Sequence, residues 1–449
     1  MSFTEALARH AAETKYSALP AHTVRSAQRF ILDSLGVAMA GRRAAFRDQL
    51  VVCAQGFGQS SEARVWVTGE RLPAAHAAMV NAYQIHSQEF DCVHEAAVVH
   101  PMAVILAALL AHAERQADVS GRDLLLAVVL AVDVAASLGM AARSAIKFFR
   151  PAQCGALGAV AALTRLRGGA ADAVRNAFGV CLGQLSGTMQ AHREGVPLLP
   201  MQIAFNARNA VVASDLSAAG LIGPRDALEG EFGYLQLFES ASDVSGLADA
   251  LGERWRIDEV SHKPYPSGRA THGGIDALQQ LLGRGGLQAD QIAAVTLYAP
   301  PLIRQLVDRP LREAMSPNYA KLCFPFVAAR CLQSGGVDIE DFDAAALTNE
   351  ATHRLASKVC VRPDGTSDPN ALTPQRLELK LHSGALEVIE ITNVLGSPDN
   401  PLSESQHLAK FERNAKREGI DPNSVIEAVE NLPQTKSLRP LLDAMIAPR

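Results

Sequence analysis

His86-Ser87-Gln88-Glu89-Phe90-Asp91-Cys92-Val93-His94, followed by His100-Pro101, gathers three histidines and two carboxylates into one polar island between alanine-rich stretches. Ionisable groups removed from water must be paired, hydrogen-bonded or shifted in pKa, and such clusters mark acid and base chemistry. A general base and the carboxylate that orients it need only this proximity. His86 and Glu89, three residues apart, are expected to share a helical face, with the helix ending before His94. The plainer alternative is that His86 caps or packs while Glu89 and Asp91 pair with nearby bases. Asp91, His94 and His100 are also conceivable metal ligands. Neither HExxH nor a cysteine/histidine set at metal spacing occurs in the chain, so no metal is expected.

A second constellation, Ser261-His262-Lys263-Pro264-Tyr265-Pro266-Ser267-Gly268-Arg269-Ala270-Thr271-His272-Gly273, sets Lys263, Tyr265, Arg269 and His272 beside two helix-incompatible prolines. Its alternative is a polar linker facing solvent, but a donor-rich loop entering a helix at a domain junction suits an anionic substrate. Two further guanidinium groups stand in Lys147-Phe148-Phe149-Arg150-Pro151 and in Gln190-Ala191-His192-Arg193-Glu194-Gly195. Arginine recognises carboxylates through paired N–H donors. Each could equally form a structural ion pair; together with Lys263 and Arg269, Arg150 and Arg193 could hold a di- or tricarboxylate. No GxGxxG, GxxxxGK[ST] or GxSxG motif occurs, which removes the usual support for nucleotide binding and serine hydrolysis.

The elements that must position these groups are mainly helical. At 449 residues, with 48% hydrophobic and 20% charged side chains, the chain is long enough for more than one core. Alanine-rich segments at 23–42, 73–86, 101–115, 121–142, 153–167, 170–185 and 204–220 are expected to be helices of a compact bundle. Ser120-Gly121-Arg122-Asp123 supplies a cap and an early acid before the apolar run Leu124 to Val132. That run stops at Asp133, short of a membrane span, and is expected to be a buried core helix. After Pro266 the pattern changes. Strands are expected at 295–298, 359–361, 377–381 and 386–392, the last two as a hairpin, with helices at 274–284, 317–333 and 348–357 between them. Beyond Pro401 helices are expected at 403–417, 423–431 and 437–447. The fold class expected is a large helical domain, 1–266 and 401–449, interrupted by a smaller α+β domain, 267–400.

A formal net charge of −5 and the absence of a basic stripe argue against nucleic acid as a partner. The start, MSFTEALARHAAETKY, has neither signal-peptide nor transit-peptide character, so a cytoplasmic location is expected and no membrane partner. Seven scattered cysteines without a CxxC pair suggest neither a disulfide framework nor a zinc ribbon.

These residues resemble the MmgE/PrpD family. HSQEFDCVHEAAVVHP, SHKPYPSGRATHGGIDA and ILDSLGVAMAG are similar to its characteristic segments, and Gly220-Leu221-Ile222-Gly223-Pro224, Phe148-Phe149-Arg150-Pro151 and Asn400-Pro401-Leu402-Ser403 follow in order. The resemblance implies a helical domain with an inserted α+β domain, a homodimer, no cofactor, and a site between domains for small polycarboxylates. The family's reactions include dehydration of 2-methylcitrate, decarboxylation of cis-aconitate and epimerisation of iminodisuccinate. Each forms or quenches a carbanion beside a carboxylate. Glu89, His100 and Lys263 match the family's acidic residue, histidine and lysine. Four positions depart from the decarboxylase: Arg150 and Gly268 stand for histidines, Leu199 lies near its lysine, and Phe326 replaces a tyrosine. Fewer proton carriers and retained cations suit an epimerase. Lys263 and His100 are then the expected proton carriers, with Glu89 or Asp91 orienting His100. His94, Arg150, Arg193, Tyr265, Arg269 and His272 are the expected substrate-binding residues. The alternatives are a 2-methylcitrate-type dehydratase and a non-catalytic ligand-binding member.

Overall fold

A computed structural model describes residues 1–116 and 118–448. Alanine and glycine recur along the helices of the bundle, and where they face a neighbour these small side chains let the helices approach closely. Gly41, at the end of helix Ala21–Ala40, shows how closely. A Cβ there would lie 1.9 Å from the Gln84 carbonyl oxygen, so only hydrogen fits between this turn and helix Ala74–His86. Around that contact pack helices Pro101–Arg115, Gly121–Ala141, Arg150–Leu166, Ala171–Leu182 and Leu198–Ala218, with Phe3–Glu13 alongside.

Helix Gly121–Ala141 starts with the expected device. The Ser120 side chain accepts from the Asp123 N–H, and the Asp123 carboxylate accepts from the Ser120 N–H. The helix fills the expected segment 121–142 apart from its last residue. With 21 residues it is long and apolar enough to cross a membrane, but 94% of its most apolar stretch is buried inside the bundle. Asp133 survives there because its carboxylate accepts from the Arg256 N–H at 2.7 Å and contacts His10 Nε2 at 2.8 Å.

From Arg269 a second unit forms around its own hydrophobic cluster. Its sheet runs in the order Val359–Pro363, Ile292–Ala299, Gln375–Leu381, Leu386–Ile391. The first pair is parallel and the other two pairings are antiparallel. Alternating residues Val295, Leu297, Leu377 and Leu379 point into the core, where helices Arg269–Gly283 and Phe324–Ser334 pack. The expected single helix over 317–333 is two pieces, Pro317–Ala320 and Phe324–Ser334, because Pro325 can occupy the first turn of a helix but not its interior.

The last helices return to the bundle. Helix Glu404–Arg417 lies against Ala21–Ala40, and the first core includes Phe411, Ala415 and Val425. Lys410 projects from it into the bundle. Its ammonium donates to Asp33 Oδ1 at 2.7 Å and to the Phe90 carbonyl at 3.0 Å, and lies over the Phe90 ring.

Candidate active site

Helix Ala74–His86 delivers His86 on its final residue. The expected shared helical face does not form, because the helix has ended before Glu89. The chain instead turns sharply, the Glu89 N–H donating to the His86 carbonyl at 3.2 Å while Glu89 takes a left-handed φ of 51°. That turn brings the Glu89 carboxylate to 3.9 Å from His86 Nε2. His100 stands immediately before helix Pro101–Arg115, with Pro101 at its first position and no capping hydrogen bond from the imidazole. Between them Val93–His94 pairs antiparallel with Val260–Ser261. This short ribbon joins the two constellations found in the sequence.

Lys263 follows directly from the ribbon and is fully buried. Its ammonium donates to the Glu89 carboxylate at 3.1 Å and to the Glu89 carbonyl at 3.2 Å, and lies 3.9 Å from Asp91. Burial pushes the Glu89 carboxyl up, but Lys263, His86 and His100 outweigh it and hold the group at about 2. Asp91 sits between two imidazoles, its Oδ2 2.9 Å from His86 Nδ1 and 3.3 Å from His100 Nδ1. Burial raises its carboxyl, yet the two histidines bring it well below the usual carboxylate range.

The two imidazoles respond oppositely. Burial lowers the pKa of His86, but Asp91 and Glu89 reverse that and leave it raised. Burial and Lys263 together lower that of His100 despite Asp91. The rings meet edge to face with centroids 5.1 Å apart. One imidazole whose pKa is raised and one whose pKa is lowered thus flank a single carboxylate, an arrangement suited to moving protons.

His86, Glu89 and His100 line a cavity closed from other directions by Phe149, Leu199, Leu302, Leu322 and Leu372. His192 joins them from helix Gln190–Glu194. Arg309 donates to its Nδ1 at 3.1 Å, so a neutral ring carries its proton on Nε2. Burial and Arg309 push the His192 pKa down to about 3, which keeps the ring neutral.

Most of the other expected residues do not line the cavity. Arg150 is buried against Glu239, with Nε and Nη2 donating to the carboxylate at 2.8 and 3.0 Å, and its remaining donors reach Ser144, Ala97 and Asn370. Arg193 is exposed. Arg269 borders the cavity but is tied to Glu95 and to three carbonyl groups. His94 Nε2 contacts Glu259 at 3.1 Å. The Tyr265 hydroxyl donates to Asp276 at 3.1 Å, and His272 stacks edge-on against the Tyr265 ring, its Nε2 3.2 Å from the Ser267 carbonyl. Lys263 reaches the cavity through Glu89, which it contacts, and does not itself line it.

Sequence reasoning overlooked His192 and Arg309, having weighted the neighbouring Arg193. It also passed over Lys321, whose ammonium donates to Gln88 and whose pKa burial pulls down to about 7. A lone lysine in the apolar run Ala320-Lys321-Leu322-Cys323-Phe324 was the available signal. As for metals, ligand atoms of His86, Asp91 and His100 lie within 4.8 Å of one another, as do those of Asp33, His262 and His407. His94, considered a ligand with Asp91 and His100, belongs to neither group.

Residues 5–246 match the MmgE/PrpD N-terminal domain and residues 265–433 the MmgE/PrpD C-terminal domain. The chain belongs to the MmgE/PrpD family. The cis-aconitate decarboxylase of Homo sapiens is 27% identical over 96% of this chain and 92% of its own length. That of Mus musculus is 26% identical over 98% and 93%, and the cis-aconitate decarboxylase-like protein oryM of Aspergillus oryzae 25% identical over 93% and 91%. The chain is therefore an enzyme of the MmgE/PrpD family, which sets aside the non-catalytic alternative. Among the four departures, Leu199 and Gly268 border the cavity, Arg150 serves Glu239, and Phe326 packs beside Phe342 in the second core.

Proposed function

We propose that this MmgE/PrpD enzyme is a cofactor-independent isomerase of the iminodisuccinate epimerase type, acting as a homodimer in the cytoplasm. It inverts a carbon that bears a proton beside a carboxylate. The observation that carries this reading is the Asp91 carboxylate shared by His86, which favours its proton, and His100, which does not. His100 takes the α-proton. Protonated His86 and the N–H of neutral His192 face the negative charge that develops on the carboxylate oxygens. Return of the proton is assigned to the Lys263 ammonium acting through the Glu89 carboxylate, which borders the cavity. Epimerisation has no leaving group to protonate, and this small set of proton carriers is enough for it.

A lyase reading has its own support, since relatives across the whole chain are named cis-aconitate decarboxylases. Against it, Leu199 and Gly268 give the cavity no titratable group at two of the positions where the decarboxylase resemblance expects one. Incubation with iminodisuccinate, 2-methylcitrate and cis-aconitate in deuterium oxide separates the readings. Epimerisation exchanges the α-proton with inversion and without alkene absorbance; dehydration produces an alkene and decarboxylation releases carbon dioxide. Alkene growth or carbon dioxide release without stereoinversion refutes the proposal.

A further inference from the structure

Arg309 is a buried guanidinium without an acid of its own. It stands two residues beyond helix Pro301–Val307 in the second unit, its N–H donating to the Val307 carbonyl at 2.9 Å. Nη2 donates to Nδ1 and to the carbonyl of His192, and the guanidinium lies over the Tyr319 ring, 5.0 Å from its centroid. Nη1 is buried with no hydrogen-bond partner among the described residues. The carboxylate whose charge reaches Arg309 is that of Glu89, which is already held by Lys263. The arginines singled out in the sequence differ in this respect. Arg150 and Arg269 have Glu239 and Glu95 as partners, and Arg193 is exposed.

The two units meet where Arg309 reaches His192. Gly195, with a left-handed φ of 71°, lies so close to Tyr319 that a Cβ would stand 2.6 Å from the Tyr319 Cα, and the Ser316 hydroxyl donates to the Gly195 carbonyl at 2.6 Å. This contact holds the segment that carries Arg309 against helix Gln190–Glu194. His192, Leu306 and Val307, the immediate neighbours of Arg309 in contact or in sequence, all line the cavity. Charge at this end is unbalanced. Lys263, Arg309 and protonated His86 stand against Glu89 and Asp91, and Lys321, on Gln88, adds to the excess whenever it is protonated. Burial lowers the Arg309 pKa only to about 10, so the group stays charged near neutral pH. A buried cation with an unused donor is unfavourable until an anion reaches it.

We infer that Arg309 receives a second carboxylate of the substrate on Nη1 while Nη2 keeps His192 in place, so that one guanidinium fixes both the far end of the substrate and an imidazole of the cavity. This rests on the acid/base reading of the same site. It makes Arg309, rather than Arg150, Arg193 or Arg269, the residue that selects substrates with more than one carboxylate.

Calorimetric titration of the full chain with succinate and butanoate tests it, since the two share a carbon chain length and differ by one carboxylate. The wild type should bind succinate about 10- to 100-fold more tightly, as expected for a charge-assisted hydrogen bond. Arg309→Met should remove most of that preference and leave butanoate within about threefold of its wild-type affinity. Equal affinities in the wild type overturn the inference, as does a folded Arg309→Met protein that keeps the preference because Nη1 is merely hydrated. If Arg309→Met does not fold, Arg309→Lys decides: it keeps the charge but has no fork to hold His192 and a carboxylate together. It should lose at least about threefold of the preference, and an unchanged preference overturns the inference. Loss of the preference, with no α-proton exchange by the wild type on any substrate, supports the inference and removes the epimerase reading. Exchange by the wild type with the preference intact in the variant does the reverse.

Discussion

Replacing Asp91 by asparagine keeps the shape of the site and removes the charge that sets its two histidines apart. The wild-type carboxylate is fully buried, 2.9 Å from His86 Nδ1 and 3.3 Å from His100 Nδ1. A buried hydrogen bond to a charged partner contributes about 1.5–3 kcal/mol. Without it, burial becomes the dominant influence on His86, whose pKa then falls below its ordinary value instead of lying above it. His86 then holds its proton less firmly, and the negative charge beside His100 is lost. A positioned proton carrier contributes about 10²–10⁴-fold, equivalent to roughly 3–5 kcal/mol of barrier. Asp91→Asn should therefore lower kcat by two to four orders of magnitude with little change in KM. The assay is α-proton exchange followed by NMR in deuterium oxide, together with titration of the His86 ring by carbon-13 NMR. If kcat stays within threefold and the His86 pKa does not fall, the shared-carboxylate reasoning is wrong.

Lys263→Ala should leave the Glu89 carboxyl to burial, raising its pKa from about 2 towards or above its ordinary value, and should reduce kcat at least 100-fold; full activity in this variant would refute the role of the Lys263–Glu89 pair. Gly41→Ala places a methyl 1.9 Å from the Gln84 carbonyl and should destabilise the bundle by about 1–3 kcal/mol or more, read as a fall in the urea midpoint. His112, His192 and His407 are buried with pKa values pushed down to about 4, 3 and 3. A folded state that resists protonation loses stability wherever the unfolded chain takes up protons, so stability should fall from about pH 6.5 downward, by about 1.4 kcal/mol per pH unit for each such histidine. His86 has the opposite sign, since its raised pKa contributes stability at low pH that is lost as pH rises through its folded value. Glu89 and Asp91 add a further loss as pH falls below their unfolded values. Denaturant titrations at a series of pH values show the sum, and a flat profile between pH 6.5 and 4 would contradict it.

Local signals made much of the fold legible in the sequence. The Ser120/Asp123 capping box, the two-residue alternation of Leu377, Leu379 and Leu381, and the clustering of chemistry at 86–100 and 261–273 all appear in three dimensions. Charge neutralisation over long distance was not legible. Glu239 and Glu95 are ordinary acids in sequence, yet they decide that Arg150 and Arg269 are occupied. His192 could be read as a cavity residue only once Arg309, 117 positions away, was seen to set its tautomer. Glu89 was misplaced because its left-handed backbone ended the helical spacing on which its relation to His86 was drawn.

The Lys410 contact with Asp33 and the Phe90 carbonyl has a consequence for biosynthesis. Phe90 lies between Glu89 and Asp91, so the turn that holds both carboxylates is held from beneath by a side chain some 320 positions further along. Synthesis proceeds at roughly 5–20 residues per second, which separates the emergence of the island from that of Lys410 by roughly 15 to 60 s. For that interval the nascent bundle carries a charged, unfinished loop that cannot yet be buried. Pulse-labelled chains should therefore acquire protease resistance at this turn only after helix Glu404–Arg417 has left the ribosome, making its docking the event that completes the active site.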